Sequence, residues 1–357
     1  MNEPMIIEKI QQIIADIIES SGYLTIVETE SKNSKSVSQN RIDIEMQVET
    51  KYRKRFSLLI EIKTEGQPRF ARMAVSNLLD LTLNDKSLYG IFATTFVSEE
   101  SKRICRDNGI GYIDLAGNCY MQFNGFFLNI EGRQNHYRKK RVLKSLFGPK
   151  STRALRVLLC DPRRSWFVKD LAEEAKISLG QCSNVKRKLL DYEFILEKGE
   201  GRKKKFRLVK PRDLLESWSE NYDYKVNTFY DYYSMLDVST IETKVSDYLK
   251  SKNIMYAFSL TSGASLTAPF LRYKRVFLYL QDDPDKVAEE LGFKRVATGG
   301  NVTLMQPYDE GIFYGIQKIK DTWIVSDIQL YLDLKKFSER GEEAAEFLLE
   351  NRIKKKW

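Results

Sequence analysis

Histidine is almost missing from this chain: of 357 residues, one is His, at position 136. That removes nearly all His-dependent chemistry, including Ser–His triads, His-rich metal sites and H-E-x-x-H proteases. Cysteine is scarce too. Cys105, Cys119, Cys160 and Cys182 are scattered and none forms a C-x-x-C pair, which argues against a disulfide framework and a zinc site. No window approaches ~18 uninterrupted apolar residues, so no membrane span is expected. The N-terminus lacks the basic start and apolar block of a secretion signal, and the expected location is the cytoplasm.

What is present is enough apolar and aromatic material for real cores, 42% and 12% of residues. At ~100–200 residues per domain, the length implies two or three domains. The net charge of +9 is unevenly placed. From Arg138 to Lys225 there are 24 Lys and Arg against 12 Asp and Glu, a balance of +12, which leaves −3 for the rest. A basic middle between mildly acidic flanks points to an anionic polymer as partner.

Residues 1–134 alternate helix and strand. Ile6, Ile10, Ile13, Ile14, Ile17 and Ile18 make one helical face. A polar loop, strands at RIDIEMQVE and KRFSLLIEIKT, a helix from Pro68, a strand at LYGIFATTF, a helix closed by Gly109 and a strand at GYIDL follow. Asn124-Gly125 then turns a hairpin. The sum is an α/β domain with a mixed sheet. Residues 135–150 form a basic connector that includes His136, read as a surface residue.

Residues 151–212 read as a winged helix-turn-helix: two helices, a short turn, a third helix and a basic hairpin. In the third helix Leu179, Cys182, Val185 and Leu189 fall at spacings of three and four and are expected to pack inward. Ser178 is an expected N-cap. Gln181, Asn184, Arg187 and Lys188 are left outward. Asn and Gln suit adenine and Arg suits guanine in the major groove. On the wing, Arg202, Lys203, Lys204, Lys205 and Arg207 suit phosphates, which give affinity without sequence preference. A winged helix used for protein contact is the competing reading. Residues 213–240 are read as an aromatic helical linker. Residues 241–357 form a second α/β domain.

One constellation in the first domain carries chemistry of its own. Asp43 sits on one strand and Glu61-Ile62-Lys63 on the next, with Glu61 and Lys63 projecting together at i and i+2. Two carboxylates can hold Mg²⁺, and a lysine can orient or activate water for phosphodiester hydrolysis. The pattern resembles the D…E-x-K motif of restriction-endonuclease-like proteins, and Glu19 on the first helix matches that family's optional helical carboxylate. Surface charges, a retained fold without cleavage, and active cleavage are three open readings. Mg²⁺ is required only for the last.

Across its length the chain resembles the AbiEi family of type IV toxin–antitoxin antitoxins. The phrases that carry the resemblance are LIEIKTEGQPRFAR, GYIDLAGN, SLFGPKSTRALRVLL, SLGQCSNVKRKLL, DLLESWSENY and QLYLDLKKFSERGEEAAEFL. The resemblance implies an autorepressing winged helix on double-stranded DNA and a C-terminal domain that supplies antitoxicity. It also implies a nucleotidyltransferase-like toxin that is neutralised without a stable complex. Such proteins usually begin at the winged helix, whereas about 135 residues precede it here. Palindromic operators would make the protein a homodimer. In the last domain, Thr261-Ser262-Gly263-Ala264-Ser265 before strand RVFLYLQ resembles a nucleotidyltransferase opening. That strand carries no acids, and Asp282 and Asp283 follow it side by side, so a degenerate, non-catalytic domain is expected.

Overall fold

The computed structural model describes residues 3–31, 42–133, 146–201, 204–267, 273–319, 321–338 and 340–357. His136, most of the basic connector, Arg202 and Lys203 lie outside them. The chain is mixed α/β and divides into two compact units, residues 1–141 with 190–193, and residues 142–189 with 194–357.

The N-terminal unit is a seven-stranded sheet whose spatial order follows the sequence. The strands are β1 (Leu24–Ser31), β2 (Ile44–Thr50), β3 (Arg55–Lys63), β4 (Leu88–Thr94), β5 (Gly111–Asp114), β6 (Cys119–Phe123) and β7 (Phe126–Ile130). Strands β3, β4 and β5 run parallel and the remaining neighbours antiparallel. Alternation along β3 sorts its side chains. Phe56, Leu58, Ile60 and Ile62 join one core with the isoleucines of α1 (Glu3–Ser21). Leu59 joins the opposite core with α2 (Pro68–Thr82) and α3 (Glu99–Asp107). The result is three layers, helix, sheet, helices. Strand β1 was not foreseen: residues from Thr29 onward read as polar loop. It is an edge strand with a register shift between Ile26 and Glu28, and such strands need only one apolar face.

In the C-terminal unit, α4 (Pro149–Cys160), α5 (Val168–Glu174) and α6 (Leu179–Asp191) precede a hairpin of β8 (Ile195–Lys198) and β9 (Lys205–Leu208). Trp166 bridges to Phe206 as a third rung. After α7 (Pro211–Asn221) comes a second seven-stranded sheet, ordered β13-β10-β14-β12-β11-β16-β15. Its members are β10 (Thr228–Tyr233), β11 (Tyr256–Phe258), β12 (Val276–Leu280), β13 (Lys294–Arg295), β14 (Val302–Gln306), β15 (Gln317–Ile319) and β16 (Thr322–Ile324). Around it lie α8 (Val238–Ser251), α9 (Leu260–Thr267), α10 (Pro284–Leu291), α11 (Asp327–Lys335) and α12 (Gly341–Leu348).

One expectation is corrected here. The stretch 228–233 is strand β10, paired on both sides, and not part of a helical linker. Thr228-Phe229-Tyr230-Asp231-Tyr232-Tyr233 is β-branched and aromatic, the composition that fits a pleated surface. Residues 327–335, which the sequence reading gives only as part of an α/β domain, are helix α11. Ile328, Leu330, Tyr331, Leu332 and Leu334 are all buried, so this helix is apolar around most of its circumference and shows no 3.6-residue stripe. Thr261-Ser262-Gly263, read as resembling a nucleotidyltransferase opening, lies within helix α9. All four cysteines are free thiols. No helix among the described residues is long and apolar enough to cross a membrane.

Candidate functional site

In the N-terminal unit, Ile44 pairs with Ile60, and the Asp43 N–H donates to the Ile60 carbonyl at 3.2 Å. One step along that ladder puts Asp43 opposite Glu61, where cross-strand side chains share a face. Both are nearly buried, at 2% and 7% exposure. An Asp43 carboxylate oxygen accepts from the Ile62 N–H at 2.7 Å. Lys63 ion-pairs with Glu61, and the Asn77 amide from α2 donates to the other Glu61 oxygen at 3.3 Å. Asn77 belongs to no motif, and its role follows only from α2 packing over β3. Glu19 is not brought to this set. It is exposed on α1, which packs on the other face of the sheet.

Asp43 and Glu61 offer only oxygen ligands, a set that suits a hard cation such as Mg²⁺, which keeps several waters and needs one or two carboxylates. Among the described residues no group of three or more His, Cys, Asp and Glu side chains is placed to hold a metal ion. Further along the parallel strands, Lys63 neighbours Thr94, and Thr94 neighbours Asp114. Asp114 is fully buried, and burial pushes its carboxyl above the usual range. It accepts from the backbone N–H groups of Val97, Ala116 and Asn118 and from the Asn118 amide at 2.9 Å, which makes it the organiser of its own turn.

In the C-terminal unit, Cys182, Val185 and Leu189 are the buried face of α6. Ser178 caps the helix, its hydroxyl accepting from the Gln181 N–H at 3.2 Å. Asn184 and Arg187 are exposed, Gln181 and Lys188 half-buried. Burial, then the neighbouring Arg187, pushes the Lys188 ammonium below its ordinary value. Leu179 departs from expectation: it is 56% exposed. It opens the helix and sits roughly 90° from the centre of the buried face at 3.6 residues per turn, so a spacing of three from Cys182 is not enough to bury it. On the hairpin Lys204, Lys205 and Arg207 are exposed. Lys205 stands 4.8 Å from the Phe167 ring centroid, and Lys186 ties α6 to β8 through Glu197.

Helix α4 is fastened to helix α11 by a buried polar centre that no sequence pattern announces. The wholly buried Arg156 guanidinium donates to the Gln329 amide oxygen, Nε at 3.1 Å, and lies 4.9 Å from the Trp218 ring. The Gln329 amide nitrogen donates to Asp333 at 2.8 Å. Asp333 also accepts from Tyr222, Tyr279 and Ser259 hydroxyls. Burial pushes its carboxyl up to about 6. Arg153 makes a second fastening, at 2.8 Å to Asp309 and to Glu310. After β12, Asp283 caps α10 and Asp282 accepts from the Asp283 N–H, so both acids serve the turn.

Comparison with known proteins bears on the C-terminal part of the chain. Residues 207–354 match the family described as transcriptional regulator, AbiEi antitoxin, of the type IV toxin–antitoxin system. Over that segment the chain is similar to the AbiEi antitoxin family. No curated protein matches the chain. Among solved structures, EndoMS in its apo form is similar at 11% identity and a TM-score of 0.21, over 29% of this chain and 44% of that one. At that score the likeness carries no argument.

Proposed function

We propose that this chain is a DNA-binding transcriptional regulator of the antitoxin type, in which residues 149–208 act as a winged helix and α6 reads the major groove. The observation that carries the reading is the division of α6. Its apolar residues are spent on the fold, while Asn184 and Arg187 face outward beside a hairpin bearing exposed Lys204, Lys205 and Arg207. Base-reading and phosphate-binding chemistry are thereby set side by side. The family description of residues 207–354 supports the regulatory role. In this reading two copies bind a palindrome, and the C-terminal sheet is a non-catalytic, nucleotidyltransferase-like domain that opposes a nucleotidyltransferase-like toxin.

Arg187→Ala and Asn184→Ala should each lose about 1–3 kcal/mol of affinity for the protein's own promoter duplex while barely changing affinity for unrelated DNA. Fluorescence anisotropy at fixed salt measures both. Equal affinity of wild type and both variants for the promoter would remove the reading.

A second reading rests on the register of Asp43 opposite Glu61 with Lys63 on the same face. It is a Mg²⁺-dependent endonuclease carried to DNA by the winged helix, with a role in phage defence. Asp43 and Glu61 would hold the ion, which when bound polarises a phosphodiester and lowers the pKa of water. Lys63 would orient the water, and Asn77 would keep Glu61 in place. Nicking that vanishes in Asp43→Ala and Lys63→Ala would support it.

A further inference from the structure

The first turn of α6 breaks two local rules at once. Leu179 is a large apolar side chain left 56% exposed. Gly180 follows it in ordinary helical backbone, outside the left-handed region, and a Cβ built on it would meet no atom within 4 Å. Glycine weakens a helix relative to alanine, and among the described residues nothing packs where a side chain here would stand. Turning roughly 100° per residue, the helix sets Gly180 and Arg187 in the middle of the face opposite Cys182, Val185 and Leu189. Ser183 and Asn184, both exposed, flank them. Leu179 stands at the edge of the same stripe. The missing side chain makes the backbone at Gly180 the point that anything lying along this stripe can approach most closely.

We propose that Gly180 and Leu179 determine sequence specificity. At Gly180 the bare helix backbone comes against the base edges of the major groove. Leu179 packs on the 5-methyl group of a thymine, the apolar mark that separates thymine from cytosine in that groove. This rests on the DNA-binding reading above, which places Asn184 and Arg187 on the same duplex.

The test uses the full chain and a duplex recovered by it from a random-sequence pool. Gly180→Ala should bind that duplex about tenfold more weakly and yet unfold at a higher temperature, because alanine suits the helix and finds open space. Leu179→Ala should lose about threefold to tenfold. Replacing thymines one at a time by uracil should find a position whose missing methyl weakens wild type but leaves Leu179→Ala unchanged. The inference is overturned if Gly180→Ala keeps wild-type affinity, if its thermal midpoint falls, or if no thymine methyl matters to wild type, while Arg187→Ala still loses binding. If Arg187→Ala also binds as wild type does, or the pool yields no duplex, the DNA-binding reading fails with it.

Discussion

Asp43 and Glu61 in the N-terminal unit, and Arg156 and Asp333 in the C-terminal unit, are charged side chains enclosed by their own chain. Each has its hydrogen bonds made inside: Asp43 to a backbone N–H, Glu61 to Lys63 and Asn77, Arg156 to Gln329, Asp333 to three hydroxyls and an amide. Asn184, Arg187, Lys204, Lys205 and Arg207 are instead exposed. Enclosed charge is costly to strip of water and stays only where partners compensate it. Exposed charge is worth little to the fold and remains available to something outside. Substitutions should therefore separate the two groups by what they damage, stability for the first and binding for the second.

The largest effect should come from Arg156. Arg156→Ala leaves Gln329 half-satisfied, empties the space beside Trp218 and should cost about 3–4 kcal/mol. Urea unfolding would show this as a lower midpoint at unchanged slope. A loss below about 0.5 kcal/mol would place this arginine with the surface charges and break the comparison.

Asp333 should come next, through pH. Its carboxyl titrates near 6 in the folded chain instead of 3.8. Between those values the folded state keeps a proton that the unfolded chain has released. Stability thus falls as pH rises through that window and levels off above about 6, by about 2–3 kcal/mol in all. The unfolding free energy of wild type minus that of Asp333→Asn should carry this slope. A difference that is flat across the window would mean that the buried carboxyl does not titrate there.

Neither Arg156 nor Asp333 was legible in the sequence, and the reason is physical. Apart from Gln329, one helical turn before Asp333, their partners come from helices and strands far apart in the chain, so no spacing rule relates them. Helix α11, which carries Gln329 and Asp333, is buried nearly all round and shows no amphipathic period. What could be read were local regularities: the alternation of β2, the isoleucine stripe of α1, the Asn124-Gly125 turn, the Ser178 cap. The face-sharing of Glu61 and Lys63 was readable because period two fixes it, whereas Asp43 stands opposite Glu61 through the register of β2 on β3. Glu19 was misjudged because sequence order does not say which face of a sheet a helix covers. Leu179 was misjudged because hydrophobic spacing ignores where a helix starts.

Mg²⁺ offers a smaller test at the carboxylates. If Asp43 and Glu61 form a cation site, ten times the dissociation constant of Mg²⁺ should stabilise wild type by about 1.4 kcal/mol. Asp43→Asn should abolish that gain. The readout is the thermal midpoint with and without the ion, and needs no substrate. Equal shifts in wild type and variant, or none in either, would leave the carboxylates as internal partners of groups such as Ile62, Lys63 and Asn77.

The hairpin should give the smallest effect per residue and the most diagnostic one. Lys204, Lys205 and Arg207 lie on or beside strand β9 with their charges in solvent, so replacing all three by Gln should change stability by less than about 0.5 kcal/mol. If they contact phosphates, each neutralisation removes close to one released counterion. The slope of log affinity against log salt should then become shallower by about 0.9 for each residue that makes such a contact, equally for promoter and unrelated DNA. Arg187→Ala should differ in kind, losing preference for the promoter. A triple variant that loses sequence preference but keeps the wild-type salt slope would reverse the roles of hairpin and helix, because only groups on the phosphates can alter the slope uniformly across sequences.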